Sequence, residues 1–109
     1  MFGLEKHIIK MILSEISSHK EVCDIIIFGS RAKGNFKRGS DIDLAIKGGN
    51  ISFELVAKLK TIFNQKMRIP YHVDLVHYDT ISNHDLIDHI DRVGISIMKR
   101  ETLLWGHLT

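Results

Sequence analysis

Three aspartates carry the clearest chemical signal in this chain of 109 residues. Asp41 and Asp43 flank Ile42, and residues two apart on a strand point to the same face. Two carboxylates so close repel one another unless a cation lies between them. Oxygen donors with no accompanying cysteine favour Mg²⁺, which keeps some of its waters and completes its shell with substrate phosphates. Asp74 stands in the run His72-Val73-Asp74-Leu75-Val76, where a lone ionised carboxylate is costly to bury unless something compensates it. A shared metal face would do so. With the Asp74 strand beside that of Asp41 and Asp43, the three carboxylates could hold two ions about 4 Å apart, clamping the attacking and leaving oxygens of a phosphoryl transfer.

A phosphate cradle precedes the pair. Gly29-Ser30 ends an apolar run; glycine there lets backbone amides approach an anion, and Ser30 adds a hydroxyl. Arg31, Lys33, Lys37 and Arg38 follow within ten residues that contain no acid, and Ser40 leads into Asp41. Such a loop can surround a triphosphate with cations while the carboxylates hold its metal. Each part has a plainer reading: Asp-x-Asp alone is commonly a solvated strand start, and a basic loop is commonly a solvated turn. Their conjunction with a third strand aspartate favours the functional reading. Seven histidines fit no standard ligand spacing and are read as surface residues, with His84 and Asp88 placed to pair along a helix. Cys23, the single cysteine, excludes an internal disulfide and is expected to be a small core residue.

The elements that must position these groups follow from hydrophobic spacing. Leu4, Ile8, Ile9, Ile12, Leu13 and Ile16 predict an amphipathic helix over residues 4 to 19. The runs Cys23 to Phe28, Ile42 to Ile46 and Tyr71 to His77 predict three strands. Between the second and third, Gly48-Gly49-Asn50 marks a turn, Ser52 caps a helix carrying Phe53, Leu55, Val56, Leu59, Ile62 and Phe63, and Pro70 closes the region. Ser82 or Asn83 caps a last helix through Leu86, Ile87, Ile90 and Val93 to Gly94. The order α, β, short turn, β, α, β, α specifies an α/β (α+β) fold, a small mixed sheet flanked by helices. The crossover makes the second and third strands parallel, and the short connection permits the first two to be antiparallel. Length and 44% hydrophobic content fit a single domain over residues 1–109. A net charge of +2, with the base confined to one loop, argues against a nucleic-acid-binding module. Glu5, Lys6, Lys10 and Glu15 interrupt the first apolar residues, so neither a leader nor a membrane span is expected there, and the protein is expected to be cytoplasmic. The apolar tail of residues 103–109, with Trp105, is expected to join the N-terminal helix in a partner interface.

Gly29-Ser30, ten intervening residues, Asp41-Ile42-Asp43 and a later strand aspartate at 74 resemble the nucleotidyltransferases related to DNA polymerase β. The forms GSRAKG and SDIDLAI on so short a chain look most like the minimal nucleotidyltransferase (MNT) group, with the resemblance strongest over residues 23 to 78. It implies transfer of AMP from ATP to a hydroxyl with release of pyrophosphate. Gly29 and Ser30 would bind the outer phosphates, with Arg31, Lys33 and Ser40 beside them; Asp41 and Asp43 would hold two Mg²⁺ ions, and Asp74 would complete one of them and help deprotonate the acceptor. It further implies an antitoxin that adenylylates a tyrosine of a helical HEPN ribonuclease partner. With no acceptor-binding domain, the acceptor must bring its own surface or a homodimer must complete the site. The rival readings are an aminoglycoside-type small-molecule nucleotidyltransferase, which brevity disfavours, and a non-catalytic nucleotide-binding antitoxin, which the intact carboxylates disfavour.

Overall fold

The computed structural model describes residues 1–98, so the tail 103–109 expected at a partner interface lies outside the described residues. Helix α1 (Lys6–Ser17) buries Ile8, Ile9, Ile12, Leu13 and Ile16 along one stripe. Strand β1 (Asp24–Phe28) runs directly into a short helix α2 (Gly29–Lys33), and strand β2 (Ile42–Lys47) follows. Helix α3 (Phe53–Thr61) continues as a π turn over Ile62–Lys66 before strand β3 (Val73–His77) and a 3₁₀ turn at Tyr78–Thr80. Helix α4 (His84–Val93) and a two-residue strand β4 (Ile95–Ser96) complete the fold.

The sheet order is β3-β2-β1-β4, with β2 parallel to β3, as the crossover predicts, and antiparallel to β1, as the short connection permits. Both faces are covered, which is why the strands read as almost unbroken apolar runs. On one face Ile25, Ile27, Ile42, Leu44, Ile46, Val73 and Leu75 join the stripe of α1 and Leu55, Leu59 and Phe63. On the other, Ile26, Phe28 and Ala45 pack only against Ile90 of α4 and its partly buried neighbours. This second layer is the smaller one. Asp43 and Asp74 lie on this face, half-buried and exposed respectively.

Ser52 caps α3 by accepting from the Leu55 amide at 3.1 Å, as expected. Asn83 rather than Ser82 caps α4, accepting from the amides of Asp85 and Leu86. Four details depart from the sequence reading. The connection after β1 is a helix, closed by the left-handed Gly34, rather than a plain turn. A fourth strand, too short for any periodicity, pairs with the free edge of β1. Cys23 is exposed, since it precedes β1 and does not enter the core. Phe53, grouped with the buried stripe of α3, is 83% exposed because it is the first residue after the cap and points off the packed face. No helix among the described residues is long and apolar enough to cross a membrane.

Candidate active site

Strand pairing brings the chemical residues together. Asp43, on the central strand β2, is in register with Asp74 of β3 on one side and with Phe28 of β1 on the other. Neighbouring strands lie about 4.8 Å apart, so the two carboxylates stand side by side on the face that α4 only partly covers. The Ile42 amide donates to the His72 carbonyl at 2.8 Å, which carries the parallel pairing on toward Asp41. Asp41 and Asp74 are exposed and Asp43 is half-buried.

Gly29 follows Phe28 and therefore lies against Asp43. Its φ is +71°, a left-handed conformation that side chains resist, and a Cβ there would fall 2.2 Å from Asp43 Oδ2. Glycine is required twice over: for the turn out of β1 and for room beside the carboxylate. The glycine loop and Asp43 thus lie side by side at one end of the sheet. No side chain caps the start of α2, whose first-turn amides have no acceptor within the helix.

Burial pushes the Asp43 carboxyl above the ordinary range, and the neighbouring charges of Asp74 and Asp41 push it further. His89 and His72 oppose this as partial counter-charges. No hydrogen bond or ion pair among the described residues holds any of the three carboxylates. Nor do three His, Cys, Asp or Glu side chains among those residues gather closely enough to hold a metal ion alone. A group of like-charged oxygen donors of this kind suits a hard cation that brings part of its own shell, such as phosphate oxygens or water.

Arg31 takes a different place from the other loop cations. It is 3% exposed, and its Nε and Nη2 donate to the Ser40 carbonyl at 3.0 and 2.8 Å while Nη1 donates to the Phe2 carbonyl at 2.8 Å. The guanidinium lies 4.6 Å from the ring centre of Tyr71 and 5.3 Å from that of Phe36. Ser40 accepts the Lys37 amide on its hydroxyl at 2.8 Å, which closes the turn leading to Asp41. Arg31 and Ser40 therefore fix the far end of the loop where Asp41 begins, while Lys33, Lys37 and Arg38 stay exposed. A lysine cannot make the two-pronged contact to one carbonyl. Arg31→Lys should lower unfolding stability by about 1–3 kcal/mol in urea titrations, with exposed Arg38→Lys close to neutral as the control.

Sequence reasoning passed over His89 and His72 as surface histidines. His72 is exposed but flanks the Asp74 strand, two residues from Asp74 on the same side, a spacing that could have drawn notice. His89 is half-buried with its ring edge-on to Phe28, centroids 6.0 Å apart, and only the packing of α4 across β1 reveals it.

The profile of the polymerase β nucleotidyltransferases matches residues 10–103. A probable protein adenylyltransferase MntA of Haemophilus influenzae is 35% identical over 98 residues, covering 89% of this chain and 82% of that protein. A crystal structure of a toxin–antitoxin with AMP-PNP superposes with a TM-score of 0.67 at 20% identity, over 96% of this chain and 90% of the other. A mutant of the toxin–antitoxin MntA–HpeT gives 0.66 at 18% identity, again over 96% and 90%. These structural likenesses concern the fold; the profile and the H. influenzae relative concern descent. With its Gly29-Ser30 loop walled against Asp43, the chain belongs to the polymerase β nucleotidyltransferase family, in its minimal MNT group.

Proposed function

We propose that this nucleotidyltransferase moves AMP from Mg²⁺-ATP onto a tyrosine hydroxyl of a helical HEPN-type toxin partner and so acts as its antitoxin, with residues 1–109 forming one cytoplasmic catalytic unit. The observation that carries the reading is the juxtaposition of Gly29, Asp43 and Asp74 across three adjoining elements. The 35% identity to a probable protein adenylyltransferase supports the class of acceptor, and a structural neighbour, a tri-AMPylated Shewanella oneidensis HEPN toxin in complex with MNT antitoxin, matches at TM-score 0.50 and 18% identity over 92% of this chain and 88% of the other.

Asp41 and Asp43 would hold the cation, with Asp74 contributing to a second ion. Mg²⁺ would neutralise charge developing on the phosphates and bring their oxygens against the carboxylates. The amides of Gly29 and Ser30 and the Ser30 hydroxyl would receive the outer phosphates, with exposed Lys33 beside them; Arg31 and Ser40 would keep the loop in shape. Asp74, the most open of the strand carboxylates, would accept the proton of the acceptor hydroxyl. That oxygen bonds to the α-phosphorus as the bond to pyrophosphate breaks.

The test is to incubate the protein with Mg²⁺, α-labelled ATP and the purified product of the adjacent gene. A labelled protein band that requires Asp43 is expected. ATP binding with no labelled protein, or label on an added aminoglycoside instead, would overturn the proposal. Asp74→Asn should lower transfer by about 100-fold or more while nucleotide affinity changes by less than about tenfold, as read by single-turnover labelling against equilibrium binding. Loss of both to the same degree would remove Asp74 from the proton transfer.

A further inference from the structure

Among the described residues the strand that carries Asp74 is an edge strand, with β2 on one side and no strand on the other. Edge strands fray unless their outward amides and carbonyls find partners. Here one side chain supplies both for Val73. Asn64, in the π turn after α3, donates from Nδ2 to the Val73 carbonyl at 2.8 Å and accepts the Val73 amide on Oδ1, also at 2.8 Å. Its Nδ2 also donates to the Lys60 carbonyl at 3.1 Å, which ties the clamp back to α3. The carboxamide thus imitates one residue of a missing neighbouring strand, donor to acceptor and acceptor to donor.

Val73 is the residue before Asp74, in register with Ile42 as Asp74 is with Asp43. A π turn holds one residue more than an α turn and re-aims the side chains that follow, a local irregularity that ordinary helix formation would not favour. Its placement here lets Asn64 reach the strand while Phe63 beside it stays fully buried in the core.

We infer that Asn64 is a positioning residue for the transfer reaction: by clamping both backbone groups of Val73 it fixes Asp74 beside Asp43. The inference rests on the role given to Asp74 above. Asn64 is exposed, and the residue whose backbone it holds is 1% exposed.

Two measurements on the full chain test it. The first needs no acceptor: hydrogen exchange at the Val73 amide should quicken by about tenfold or more in Asn64→Ala, and unchanged exchange would overturn the clamp. The second reads transfer to the partner. Asn64→Ala should lower kcat by about 10- to 100-fold with the nucleotide KM within about twofold, because a misplaced proton acceptor slows chemistry and leaves phosphate binding intact. Asn64→Asp, which keeps the acceptor for the Val73 amide, should recover part of the loss. An unchanged kcat, or a parallel loss of kcat and nucleotide affinity, would overturn the positioning role. If the wild-type chain transfers nothing, the proposed function fails, and the exchange measurement still decides whether the clamp exists.

Discussion

Asp43→Asn should abolish transfer, by about 1,000-fold or more, and at the same time make the nucleotide-free protein more stable. The two effects have one cause. Asp43 is half-buried between Asp41 and Asp74, so its ionised form is penalised by lost hydration and by two like charges. That penalty is what a bound cation would relieve, and an amide has no charge to attract the ion and keeps only one of the two ligand oxygens. The sign of the stability effect follows from linkage. A carboxyl whose folded pKa lies above its unfolded value binds more protons folded than unfolded, so stability falls as pH rises from the ordinary carboxylate range through the raised value. At neutral pH the whole penalty is present and the asparagine removes it. Thermal melting without Mg²⁺ should rise by roughly a few degrees at neutral pH, with the gain shrinking in acid. In the wild type, Mg²⁺ should bind more tightly as pH rises through the same window, since the cation displaces a proton. A variant that melts lower at neutral pH, or retains transfer, would contradict the assignment.

Gly29→Ala should be nearly as damaging to transfer and opposite in its effect on stability. The added methyl meets Asp43 Oδ2 at 2.2 Å while the backbone remains at a φ of +71° that alanine resists. The conformational strain alone is about 1–2 kcal/mol. Moving the carboxylate out of the way displaces a proposed cation ligand, and straightening the turn withdraws the amides that would receive phosphate. Transfer should drop by about 100-fold or more, nucleotide binding should weaken, and the melting temperature should fall by several degrees. The pair of variants is diagnostic because they share a lost activity but shift melting in opposite directions. A stable Gly29→Ala protein with full activity would show that the loop and Asp43 do not act as one site.

Much of this site was legible because its parts follow local rules. Gly29 sits where a strand must turn sharply, Asp41 and Asp43 share a face by the two-residue period, and the crossover length dictates that β3 run parallel to β2. The register that sets Asp74 against Asp43 follows from no such rule, since a shift of one residue would turn Asp74 to the other face. It is fixed by burial of Val73 and Leu75 and by Asn64, which lies nine residues away in sequence and bears no motif. Arg31 was expected among the phosphate contacts because it neighbours Ser30, and composition cannot tell an exposed cation from one enclosed by Phe36 and Tyr71. His89 escaped notice for a similar reason: its spacing belongs to α4, and its nearness to Asp43 to the way α4 crosses β1.

The hydrogen bond from Arg31 to the Phe2 carbonyl ties the first few residues to the loop some thirty positions further on. Gly3 adds to this, since a methyl there would strike the Phe36 ring at 2.3 Å, so the opening segment is moulded onto the outside of the loop. Order in the one is thermodynamically linked to order in the other: whatever stiffens the loop from within also pins the amino-terminal segment, and whatever frees that segment makes the loop costlier to organise. On the proposed function, this linkage would give the amino-terminal segment a bearing on nucleotide affinity. A fusion joined at Met1 would be pulling on it.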